Sequence, residues 1–237
     1  LALAVAIAAT VIWSASYQNS FRTLGYPDAA DYAQMGRQLV QGEGFTSQQT
    51  FPYILGWLDA HQLETTAPWP NLYRFPLPAL LNALSFSVVG VGDFGAVLPC
   101  GLFFVATCVL IFLLGNRVYG PLAGIVAASM TAISHSQIHY SLSGLTESGT
   151  AFFIVATALA YVSVAAGDRR ANSTAVVFGM LIGVGFLQRY NIVFLAIVGG
   201  VLLLAGPQRC GLRPLVSSGA VRVALCHPLV RLQPGQL

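Results

Sequence analysis

Eight acidic residues and eleven arginines are the only residues that always carry charge in this chain of 237 residues, so the place of each is informative. Two of the acids open the first clearly polar stretch, PDAADYAQMGRQLVQGEGF, from Pro27 to Phe45. Asp28 and Asp31 stand at the start of a short amphipathic helix. Its Tyr32, Met35 and Leu39 recur at i, i+3 and i+7 on one face, and Gly42 and Gly44 close it. A carboxylate there sits at a membrane surface and can do chemistry on substrates that other segments hold against it. Asp28 after Pro27 also suits a helix cap, worth ~1 kcal/mol, and Asp31 suits the positive end of the helix dipole.

The other candidates are spread along the chain. Glu147 lies between two apolar runs, where it either faces Asp28 across a site or caps a helix starting near Ser148. Arg189 interrupts two apolar runs; charges within a membrane tend to be functional, though a hairpin turn also accounts for it. Arg74 opens the Arg-Phe-Pro-Leu-Pro segment, where an interfacial arginine can snorkel. His135 and His139 at i, i+4 share a helix face, a geometry that suits a metal and equally suits plain hydrogen bonding. No metal ligand set is assigned, and a need for a divalent cation stays open.

The elements that must position these residues are membrane helices. The chain is 56% hydrophobic and 8% charged, with a mean hydropathy of +0.71. A soluble domain is about 25% charged, so the reading is an all-α polytopic membrane protein. A net charge of +3 without a basic cluster excludes nucleic acid as a partner. Cys100, Cys108, Cys210 and Cys226 form no disulfide framework and read as small apolar fillers.

A spanning helix needs ~20 apolar residues. About six transmembrane helices are expected: Leu1–Ser16, Phe94–Gly115, Pro121–Tyr140, Gly149–Gly167, Thr174–Gln188 and Ile192–Gly206. The first could pass for a signal-peptide core, but it lacks a basic start, and a membrane helix without its cytoplasmic beginning is the expectation. Phe75–Gly90, at ~24 Å, is short for a span. It reads as a second juxtamembrane amphipathic helix in a long outer first loop, with Leu77, Leu80, Leu81, Leu84 and Val88 on one face. This choice leaves Arg117, Arg169, Arg170 and the later arginines inside and most acids outside, the positive-inside pattern. Trp13, Tyr17, Tyr119, Tyr140 and Tyr161 fall near the expected interfaces. Gly179 and Gly183 are spaced for close helix packing. Residues 207–237 carry four Arg, four Pro and no acid and read as a disordered or artefactual basic tail.

The order of parts resembles the GT-C membrane glycosyltransferases, in the polyprenyl-phosphate-mannose and aminoarabinose transferase-like branch. The matching pieces are Asp28, Tyr32 and Arg37 with the Gly-Glu-Gly-Phe ending at Phe45; Arg74-Phe75-Pro76-Leu77-Pro78; Asn116-Arg117-Val118-Tyr119-Gly120; Leu145-Thr146-Glu147; and Arg189-Tyr190-Asn191. They extend over Leu1 to Gly206, the expected domain, in the arrangement of the N-terminal portion of such an enzyme. Where the family often has a second acid directly after the first, this chain has Ala29.

The resemblance implies an integral enzyme of the bacterial plasma membrane with its site on the extracytoplasmic face. It implies transfer of a sugar from a polyprenyl-phosphate donor to an acceptor glycan, lipid or protein. Asp28 is then the general base, with Asp31 or Glu147 as a second acid, and Arg74 and Arg189 bind the donor phosphate. Two other readings compete. A lipid-linked glycan transporter would show repeats and midplane charges, which the sequence lacks. An inactive fragment or non-catalytic membrane subunit fits the odd tail.

Overall fold

The structure, a computed structural model, describes residues 1–50, 52–62, 66–71, 73–165 and 171–205. The basic tail, with Cys210 and Cys226, lies outside the described residues, as do Glu64 and Asp168, Arg169 and Arg170.

The fold is mostly helical and is built around α5 (Asp93–Tyr119), which packs against α1 (Ala2–Ser20), α4 (Pro76–Val89), α6 (Pro121–Ala132), α7 (His135–Ser141) and α8 (Glu147–Ala165). At ~1.5 Å per residue α5 exceeds a ~30 Å hydrocarbon core. Among the described residues, α5 and the stretch Glu147–Val164 of α8 are the helices long and apolar enough to cross a membrane. The other expected spans are present as helices but are shorter or less apolar. α9 (Ala171–Gln188) and α10 (Val193–Ala205) are separated by a 3-10 turn at Tyr190–Ile192. The expected span Pro121–Tyr140 is two helices, α6 and α7, broken at Ile133 and Ser134. The polar Ser134-His135-Ser136-Gln137 run gives no apolar face with which to continue a span.

Small residues let these helices approach. A Cβ on Gly101 of α5 would fall within the Trp13 indole of α1, and one on Gly115 would lie 2.8 Å from Gly124 Cα on α6. Trp13 also donates its indole N–H to Ser141 O at 3.3 Å, tying α1 to the end of α7. The expected contact at Gly179 and Gly183 is not made: a Cβ at either meets nothing within 4 Å among the described residues.

The segment between α1 and α5 holds both expected amphipathic helices. α2 (Pro27–Gln41) buries Tyr32 and Met35 and ends on Gly42, whose φ of 84° is the left-handed conformation that favours glycine. α4 turns Leu80, Leu84 and Val88 outward and buries Asn82 and Ser85. Gly36 of α2 rests on Asn82, leaving no room for a Cβ. An outward apolar face over a polar contact is the arrangement a lipid-facing helix requires. The sequence did not announce the third helix, α3 (Pro52–Ala60), or the antiparallel pairing of β1 (Thr46–Ser47) with β2 (Trp69–Pro70). The chain is mostly helical, as the all-α reading expected, with that short pair as its strand content among the described residues.

These connections bring the chemistry to one end of the bundle. Tyr17 near the end of α1 meets Phe94 at the start of α5, edge to face with centroids 5.4 Å apart. Cys100 of α5 lies 3.2 Å from Leu145 O, just before α8. Gln188, the last residue of α9, donates to Thr146 O at 3.2 Å.

Candidate active site

Arg74 is the centre of the site, and backbone geometry sets it there. Asn71 N–H donates to Phe45 O at 2.9 Å, continuing the β1–β2 pairing, and Asn71 Oδ1 accepts the Arg74 N–H at 3.2 Å. This turn aims the guanidinium at the first turn of α2. There Nε and Nη2 donate to Asp31 Oδ2 at 3.1 and 2.9 Å, and Nη2 also donates to Asp28 Oδ1 at 2.5 Å. Tyr73 donates its hydroxyl to the same Asp31 oxygen at 2.8 Å. The guanidinium carbon lies 5.4 Å from the Tyr32 ring centroid and 5.0 Å from that of Tyr73, within cation–π range.

The two carboxylates are not equivalent. The side chain of Asp31 is 8% exposed and that of Asp28 59%, with Arg74 between them at 15%. Asp31 is therefore the anchor of the arginine. Asp28 reaches the surface with Oδ2 outside any hydrogen bond among the described residues. It is not a cap: Tyr26 holds the cap position, Pro27 opens the helix, and Asp28 sits in the first turn. Burial opposes the charge on Arg74, but the hydrogen bonds it donates to Asp28 and Asp31 outweigh it and hold its pKa above the ordinary arginine value. Burial also raises the Tyr32 and Tyr73 hydroxyls above the ordinary tyrosine value, and for Tyr73 the bond to Asp31 adds to it.

Ala29 is closed in. Its Cβ would lie 3.1 Å from one placed on Gly144, whose φ of 72° turns the loop before α8 against α2. A second acid at position 29 would have to displace that loop, whereas Asp31 brings a second carboxylate to Arg74 from the next turn.

Glu147 and Arg189 form a separate pair, with Nη1 to Oε1 at 2.8 Å. Glu147 stands in the first turn of α8, and Arg189 lies between α9 and the 3-10 turn. Packing of Phe75 on Tyr190, with centroids 5.8 Å apart, links the neighbours of the two arginines. Glu147 Oε2, Ser148 Oγ and Gln188 Oε1 are buried without a hydrogen-bond partner among the described residues. Three carboxylates thus face two guanidinium groups in the two pairs, leaving a net negative charge.

His135 and His139 stack on α7 with centroids 6.2 Å apart, and His139 Nε2 meets the Tyr26 hydroxyl at 2.8 Å. Among the described residues no three His, Cys, Asp or Glu side chains gather as a metal-holding group. Tyr73 and Asn71 escaped the sequence reading, because the loop closure that gives them their partners leaves no periodic signal. The three-residue spacing of Asp28 and Asp31 was the available hint, since it puts both on one helix face.

No curated protein and no solved structure matches the chain. Residues 70–230 match the model of the dolichyl-phosphate-mannose-protein mannosyltransferase family. That stretch contains Arg74, His135, His139, Glu147 and Arg189, while Asp28 and Asp31 precede it. Apolar helices fit for a membrane, gathered around a carboxylate–arginine site, and a family match over most of the length lead to one assignment: this chain belongs to the dolichyl-phosphate-mannose-protein mannosyltransferase family, whose members are membrane glycosyltransferases.

Proposed function

We propose that the protein moves a sugar from a polyprenyl-phosphate carrier to an acceptor hydroxyl at the extracytoplasmic face of a bacterial plasma membrane, with Asp28 as general base. The acceptor is a glycan, lipid or protein. The observation that carries this reading is the exposed Asp28 carboxylate, held from one side by an arginine that a buried Asp31 fixes in place. The acceptor oxygen attacks the anomeric carbon, its proton passes to Asp28, and the sugar–phosphate bond breaks with the electron pair leaving on phosphate. Protonation of Asp28 removes its charge from the bond to Arg74. The guanidinium is then available to the departing phosphate when that charge develops, an interaction strengthened in the transition state. Arg189 is the second cation we assign to the donor phosphate, and Glu147, with a buried Oε2 that has no hydrogen-bond partner among the described residues, the second acid beside Asp31.

In this reading residues 1–206 form the transferase domain, with α1, α5, α6 with α7, α8, α9 and α10 as the spans. The end carrying Asp28 and Glu147 faces outward and Arg117 inward, following the positive-inside rule. Native mass spectrometry of the detergent-purified protein tests the donor class. A co-purifying polyprenyl phosphate, depleted in Arg74→Ala, is expected. A well-folded preparation carrying no such lipid in either form would contradict it.

A further inference from the structure

A second polar feature lies beside this site and takes no part in it. Between the end of α1, the following loop and α7 is a cavity of about 490 Å³, lined by Arg22, Tyr26, His135, His139, Thr23 and Ser143 among others. Its lining includes no carboxylate. The hydrogen bond of the Arg22 side chain runs to Phe21 O at 3.2 Å, so its charge meets no acid among the described residues. The floor, with Phe21, Ile138 and Leu142, is apolar. A guanidinium, two imidazoles, a phenol bonded to one of them, and the Ser20 and Thr23 hydroxyls over an apolar floor make a donor-rich site for a tetrahedral anion, while Ser143 already donates to Tyr140 O.

The neighbouring site needs such a partner. Its carboxylates outnumber its arginines, and Arg74 and Arg189 are each bonded to an acid before any substrate arrives. A phosphate approaching Asp28 meets these acids as well as Arg74 and Arg189, and a further cation nearby would offset their excess charge. Tyr26 lines the cavity and lies two residues from Asp28 in the chain, a span of at most ~7 Å. The cavity therefore adjoins the start of the helix that carries Asp28.

We propose that Arg22, His135 and His139, with the Tyr26 hydroxyl, form a phosphate-ester site that anchors a substrate headgroup before reaction. This assignment rests on the transferase reading for what the phosphate belongs to. Arg74 and Arg189 stay the cations of the reacting site, and the cavity adds a second hold on the phosphate headgroup beside them.

The test is binding of a ten-carbon prenyl phosphate and of inorganic phosphate to the detergent-purified full chain, by calorimetry. The prenyl phosphate is expected to bind wild type, and Asp28→Asn at least as tightly because one opposing charge is gone. Arg22→Ala and His139→Gln should each weaken it about tenfold or more, as for loss of a charge-assisted hydrogen bond. Arg22 and His139 are exposed, and Arg22→Lys, which keeps the charge, should retain most of the affinity. Inorganic phosphate binding alone, lost in the same variants, keeps the anion site and assigns it to free phosphate. Unchanged affinity in Arg22→Ala and His139→Gln, or a loss confined to Arg74→Ala, overturns the proposal. An Asp28→Asn protein that transfers sugar normally would defeat the transferase mechanism and leave these binding results standing.

Discussion

Asp28 and Asp31 contact the same arginine and should part under mutation. Asp31→Asn removes the charge from a buried acceptor of three hydrogen bonds, so a loss of ~1–3 kcal/mol in stability is expected, read as a lowered unfolding midpoint in detergent. Asp28→Asn acts on an exposed ion pair and should cost under ~1 kcal/mol. Tyr73→Phe removes one donor to Asp31, and its effect carries a pH signature. The Tyr73 pKa is raised in the folded protein from 10.0. Its contribution is therefore present below pH ~10 and is lost only as pH rises through the higher folded value. Stability measured from neutral to strongly alkaline pH should show wild type and Tyr73→Phe converging in that alkaline range. Sequence placed Asp28 and Asp31 together at the start of one helix. It did not reveal which was buried, because that depends on Arg74, forty-three positions beyond Asp31.

At the scale of elements, glycines at helix contacts give the sharpest expectations. Gly124→Ala puts a methyl against Phe112 O, 2.6 Å away, and the Asn116 N–H at 2.9 Å, so α5 and α6 must separate at a cost of ~1–3 kcal/mol. Gly179→Ala, with open space around it, should be neutral or stabilising by up to ~1 kcal/mol through helix propensity. Unfolding midpoints of the two variants should fall on opposite sides of wild type or nearly so. Both amphipathic helices were legible because their polarity repeats with the helical period. The sequence pattern suggested packing at Gly179 and Gly183 because a small-xxx-small spacing says which residues can approach, not which helix is opposite. The break between α6 and α7 was signalled by the polar run at Ser134, but the apolar residues on both sides concealed it. The two-residue strand pair arises from loop closure, which composition does not encode, and α3 is a short local helix of nine residues with none buried.

At the scale of the molecule, the acids and arginines of the candidate site collect at one end of α5 and Arg117 stands at the other. In a background with native cysteines replaced by alanine, Glu43→Cys in intact cells should react with a membrane-impermeant maleimide. Tyr119→Cys, exposed at the far end of α5, should react only after lysis. The reverse pattern would turn the site to the cytoplasm. The family was legible from the order of its short motifs, which outlasts the weakness of each one, and the match over residues 70–230 agrees with it. Asp28, the proposed base, lies before that stretch, so its role rests on geometry and needs its own measurement. The most direct is transfer of radiolabelled sugar from a polyprenyl-phosphate donor to acceptors in the native membrane, comparing wild type with Asp28→Asn at equal amounts of folded protein. Loss of a positioned general base predicts a rate lower by about 10²–10⁴-fold with an unfolding midpoint close to wild type. Full activity in folded Asp28→Asn would contradict the account.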